Sequence, residues 1–173
     1  DWLTDYLRKQ SISGQFFVLG NSVQVRLDKG GERALQALYK GQCVGVQGWE
    51  YRSHSHWQAW QDSILRSVAL VKQVLPHNYL AQFRPPYGQR RADSGVFFQG
   101  QGMQVSLWDI DAQDMAANLS AEQSAQRVLT LMLLWRHGVI KFHDTQDKVR
   151  GALPWLLKAT AQSGLGWEDC EVL

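Results

Sequence analysis

This sequence has little net charge, no long apolar run and only two cysteines, and each shortage narrows what it does. A formal net charge of +2 over 173 residues, with the basic residues scattered, gives no footprint for a nucleic-acid partner. No apolar run approaches the roughly 20 residues of a membrane-crossing helix, so no membrane span is expected. The opening Asp1-Trp2-Leu3-Thr4-Asp5 has neither the basic region nor the apolar stretch of a leader. An export signal is therefore expected to have been removed or to lie upstream. Cys43 and Cys170 sit in strand-like contexts near opposite ends of the chain. A disulfide between them stays open, with two buried thiols as the expectation. Internal repeats, low-complexity tracts and linkers are absent, and the length fits one domain over residues 1–173. No Ser or Cys stands in a recognisable nucleophile elbow, which argues against simple serine or cysteine acyl-transfer chemistry.

What the chain does have is tryptophan and alternation. Most of the eight tryptophans are expected in the core. A minority, with Trp49, Trp57 and Trp60 as candidates, could stack on the apolar faces of sugars. Apolar runs at 16–20, 43–46, 81–84, 104–108 and 139–142 read as buried strands. Helical spacing covers 32–39, 63–75, the stretch after Ser120 and 152–161, with Gly41 and Pro76 as stop signals and Ser120 as an N-cap. A last extended segment runs through Cys170 to Leu173. Such alternation predicts parallel β/α units, an α/β fold in which chemistry collects after the strands. The residues to read are then 47–51, 84–88, 109–114 and His143 with Asp144. Asp109, Asp111 and Asp114 form an acidic cluster that could hold a cation or simply be solvated turn residues. His77 and His137 fall near helix ends and receive no catalytic role.

Four pieces in order carry a resemblance. Phe83-Arg84-Pro85-Pro86-Tyr87-Gly88 is followed about 55 residues later, a spacing loops readily vary, by Val139-Ile140-Lys141-Phe142-His143-Asp144. Phe16-Phe17-Val18-Leu19-Gly20-Asn21 precedes them, and Trp108-Asp109-Ile110-Asp111-Ala112-Gln113-Asp114-Met115 lies between. With a closing stretch from Gly166-Trp167 to Leu173, these resemble the polysaccharide deacetylase (NodB homology, carbohydrate esterase) family. The resemblance implies a distorted (β/α) barrel and hydrolysis of acetyl groups on a glycan. It also implies zinc or another divalent metal held by one Asp and two His, polarising the acetyl carbonyl and activating water. Residue by residue, His143 would be the general acid, Asp114 its holder, Arg84 the group orienting a catalytic Asp, and the Tyr87 backbone N–H an oxyanion donor. Leu107 and Trp108 would shape the acetyl pocket, with Trp49 a further substrate contact.

Two family motifs do not match. The first, carrying the catalytic base and the metal-binding Asp, would fall upstream of Asp1, so the first barrel strand is expected to be missing. The second should supply two histidines. Aligned on Gly41-Gln42-Cys43-Val44-Gly45, it places Gln47 and Tyr51 there instead, and neither is a good zinc ligand. Another register makes His54 the first ligand and Gln58 the second. In a third, His54 and His56 take over the metal, because an i, i+2 pair on an extended segment points one way. Two functions follow: a glycan deacetylase, or a module that kept the barrel, lost the metal, and binds carbohydrate without turnover. A glycan is the expected partner, with an upstream segment or a second copy completing the barrel. The resemblance implies a periplasmic, cell-envelope or secreted setting.

Overall fold

The computed structural model describes residues 1–172. The chain divides into two compact units, one formed by Asp1–Leu107 with the tail from Glu168, the other by Trp108–Trp167. All strand pairs in both are parallel, as the alternation of strands and helices predicts.

The first unit begins with α1 (Trp2–Lys9), on which Trp2 and Tyr6 stack one turn apart. β1 (Gln15–Val18), α2 (Gly20–Leu38), β2 (Cys43–Val46), α3 (Trp60–Val74) and β3 (Tyr79–Phe83) follow. A single 3-10 turn at Pro86–Gly88, the short α4 (Gly95–Gly100) and β4 (Gln104–Val105) complete it. The sheet order is β1-β2-β3-β4. Val44, Val46, Ile64, Val71, Leu75 and Phe83 are all fully buried, and every residue of β2 is buried, so both faces of that strand are covered. That is why β2 reads as a continuous apolar run rather than as alternation. Gly45 is needed in β2 because a Cβ there would lie 2.7 Å from the Phe17 ring and 2.9 Å from the Gln82 carbonyl oxygen.

Three expectations change here. The helix read at 32–39 is only the second half of α2, which starts at Gly20 and kinks at Gly31, where φ is +75°. The polar residues and paired glycines of its first half hid it. Cys43 and Cys170 are not free thiols: they form a disulfide, with Cα atoms 5.9 Å apart. The extended segment at the C-terminus is not a strand over the described residues, and Leu173 lies outside them. The tail is instead held by side chains. Cys170 N donates to Ser13 Oγ at 2.9 Å, Ser13 Oγ donates to Asp169, and Gln15 Nε2 donates to the Cys170 carbonyl at 2.9 Å.

The second unit pairs β5 (Ile110–Asp111) with β6 (Ile140–Lys141) and packs α5 (Ala121–Trp135) against α6 (Lys148–Thr160). Ile110, Ala112, Val128, Met132 and Leu156 form its core. Ser120 caps α5 as expected: its hydroxyl accepts from Gln123 N while the Gln123 side chain accepts from Ser120 N, a reciprocal capping box. Ser124 Oγ then donates to the Ala112 carbonyl at 2.6 Å and fixes α5 to the residues after β5.

Candidate functional site

In the first unit the ladder hydrogen bonds run past the strands. Gln47 N donates to Val18 O, Arg84 N to Val46 O, and Ser106 N to Phe83 O, at 2.8–2.9 Å. Gln47, Arg84 and Ser106 thus stand side by side, one residue beyond β2, β3 and β4. Arg84 uses this place to tie the sheet together. Its guanidinium donates to the Ser106 carbonyl and hydroxyl and to the Leu107 carbonyl, and lies 4.0 Å over the Phe17 ring. Burial lowers its pKa to about 10, which leaves it charged at neutral pH. Tyr87 takes a left-handed backbone conformation, φ +58°, a strained choice for a residue with a Cβ. That turn holds its exposed ring edge-on to Tyr51, with centroids 4.8 Å apart.

The loop after β2 serves packing. Gly20 N and Asn21 N, the first amides of α2, donate to the Gly48 and Trp49 carbonyls. A Cβ on Gly20 would lie 2.4 Å from the Trp49 ring, and the Arg66 guanidinium sits 4.0 Å from that ring's centre. Trp49, expected at substrate, is therefore engaged by its own unit. Trp60 is a core residue packed on Phe97 and Phe98. It also lines a cleft of about 510 Å³ with Gln58, Arg91 and Phe97 among others; of the expected site residues only Gln58 and Trp60 itself reach that cleft.

The expected metal pair does not form. His54 is 1% exposed and His56 is exposed, so the two rings do not share a face. Both His54 nitrogens have partners within the unit, Nδ1 at 2.8 Å from the Arg52 carbonyl and Nε2 at 3.2 Å from Ser63 Oγ. Among the described residues, no three of His, Cys, Asp or Glu come close enough to hold an ion. Gln47 offers an amide. Tyr51 offers a phenol whose pKa is raised by burial and by Tyr87, so it stays protonated and weakly ligating at neutral pH. The residues present at the end of β2 do not fit a divalent metal.

The second unit holds the reactive geometry. Asp114 is fully buried at the end of the β5 loop. Its Oδ1 lies 2.7 Å from His143 Nδ1, and its Oδ2 accepts from His143 N at 2.6 Å. One carboxylate thus fixes both the backbone and the ring of His143. An ionised carboxylate only accepts, so Nδ1 carries the hydrogen and Nε2 is the atom left to exchange a proton. The His143 side chain is 26% exposed, enough for a reacting group to reach it. Two residues earlier, at the end of β6, Lys141 Nζ bonds Asp111 at 2.7 Å and sits 3.8 Å from the centre of the Trp108 ring. Sequence reasoning missed Lys141. The register that sets Asp111 opposite it is not visible until β5, read only as part of an acidic loop, is seen to be a strand. Trp108, expected to face an acetyl group, carries an ammonium ion on its ring. Leu107, its expected companion, is exposed.

No protein-family model matches the sequence. Solved structures do resemble it. A CE4 family pseudoenzyme from Bacillus anthracis superposes with a TM-score of 0.80 at 16% identity, over 99% of this chain and 58% of that one. The polysaccharide deacetylase Bc1974 from Bacillus cereus gives 0.76 at 19% identity, over 99% and 86%. A peptidoglycan deacetylase from Bacillus subtilis gives 0.71 at 21%, over 94% and 76%. The chain has the fold of the CE4 polysaccharide deacetylases, a group of structures that includes both enzymes and pseudoenzymes. It spans little more than half the length of the pseudoenzyme.

Proposed function

We propose that this chain is a single polysaccharide deacetylase-like domain that supplies the proton-transfer half of acetyl removal from an N-acetylated glycan such as peptidoglycan, a chitin-like polymer or an exopolysaccharide. The observation that carries this reading is the Asp114–His143 pair. Asp114 holds His143 in one tautomer and stabilises its protonated form, and protonated His143 delivers the Nε2 proton to the amine nitrogen as the C–N bond breaks. Within the first unit, Arg84 acts as a positioning residue that keeps the ends of β3 and β4 in place. Attack on the carbonyl calls for a base and an electrophile that Gln47 and Tyr51 do not supply. Other residues of the whole protein supply these, in a periplasmic, cell-envelope or secreted setting.

Acetate release from N-acetylated chito-oligosaccharide and from peptidoglycan tests this in the protein that contains the chain. His143→Ala is expected to cut turnover by about 100-fold or more, and Asp114→Asn by a smaller factor. Undiminished release by His143→Ala would overturn the assignment. Gln47 and Tyr51 at the metal positions favour one alternative, a carbohydrate-binding module without turnover. It predicts saturable binding of the same oligosaccharides and no acetate.

A further inference from the structure

We infer that the loop after β2 is held by a histidine-centred hydrogen-bond relay in place of a divalent ion, and that this chain binds no such ion there. The relay has one consistent direction. The Arg52 carbonyl only accepts, so His54 Nδ1 carries a hydrogen and Nε2 is bare. Nε2 therefore accepts from the Ser63 hydroxyl at 3.2 Å, and that oxygen accepts from Trp49 N–H at 2.7 Å. A backbone amide after β2, a hydroxyl on α3 and an imidazole in the loop are joined in series. The one lone pair that a neutral imidazole would offer a metal is already used.

Space around the ring is equally committed. The Trp57 and Phe83 rings stand edge-on to His54 with centroids 5.3 and 5.2 Å away. Gly48 lies under it at φ +98°, where a Cβ would come within 2.6 Å of both Cε1 and Nε2. Only glycine meets both the conformation and the clearance at that position. An ion approaching Nε2 would have to displace Ser63 Oγ and leave the Trp49 amide without a partner, at the cost of an unsatisfied buried donor. The residues at the expected metal positions, Gln47 and Tyr51, offer an amide and a phenol, and the phenol ring packs edge-on against Tyr87.

The inference is independent of the deacetylase reading and has its own readout. The metal-stripped chain is titrated with zinc by calorimetry while the histidine ring nitrogens are followed by NMR. His54 is expected to show a protonated Nδ1 and an unprotonated Nε2, both unmoved by one equivalent of zinc. Weak uptake at the exposed His56, His77 and His137 leaves those signals unchanged and agrees with the inference. One zinc per chain with a dissociation constant below about 10 μM, together with a shifted His54 Nε2, would overturn it. So would tight binding abolished by Gln47→Ala or Tyr51→Phe, variants at partly exposed positions that leave the relay intact. Zinc binding there would sink this inference and strengthen the deacetylase reading, whereas unaltered acetate release by His143→Ala would sink only the latter.

Discussion

The two units treat their polar strand-end residues in opposite ways. In the second, Asp114 is buried in order to hold a partly exposed His143, and the pair leaves one ring nitrogen for chemistry. In the first, His54 is buried with both nitrogens bonded, Arg84 binds carbonyls, and Trp49 is packed by Gly20 and Arg66. The same residue types therefore mean different things: a histidine with one bonded nitrogen is poised, and a histidine with two is a structural part. Burial goes with the contrast between the histidines, His143 being partly exposed and His54 almost wholly buried, but it does not set Asp114 apart from His54. The number of bonded ring nitrogens is what distinguishes the two histidines.

The comparison can be tested, beginning with the largest expected effect on stability. Phe83→Ala removes a fully buried ring that packs on His54 and Phe98 and should cost about 3–5 kcal/mol. Hydrogen exchange should show the loss in residues 1–107. Equal loss of protection in 108–167 would show that the contrast is not local. Replacing Cys43 and Cys170 together by alanine opens a closure spanning 127 residues and should cost about 2–4 kcal/mol, read as a lowered denaturation midpoint. Next comes acid. Burial lowers the His54 pKa below its ordinary 6.5, so between the two values the unfolded chain binds the extra proton. The neutral-form contribution is complete above about pH 6.5 and falls as pH drops towards the folded-state value, by at most about 1.4 kcal/mol per pH unit. His54→Gln should flatten that slope, whatever it does to total stability. The smallest effect belongs to the second unit, where Ser120→Ala removes half of the α5 capping box and should cost about 1 kcal/mol. An effect several times larger would show that the cap also secures the residues after β5.

The sequence made some of this legible and hid the rest for physical reasons. β2 is readable because a strand covered on both faces must be apolar throughout, β1 and β3 because each carries a short apolar run, and Ser120 because a cap needs a hydroxyl before a helical stripe. The order of Arg84 to Gly88 before His143 and Asp144 pointed to the fold that the solved structures share. The first half of α2 was not legible, since its residues are mostly polar and end in Gly30 and Gly31. β5 is two residues long inside an acidic stretch, so neither it nor the Asp111–Lys141 pair could be read. His54 looked like a ligand because it lies among serines and a second histidine. Its burial depends on Ser63 nine residues on and on Phe83 in another strand, and no local pattern records either.

The bond between Cys43 and Cys170 gives the chain a covalent topology. Every residue from Trp108 to Trp167 lies between the two linked cysteines, so the second unit is a segment of a closed covalent ring anchored in the first. A protease that cuts once anywhere in the second unit would open the ring without releasing a fragment. The nicked protein would run as one species under non-reducing conditions and fall into two pieces only when a thiol is added.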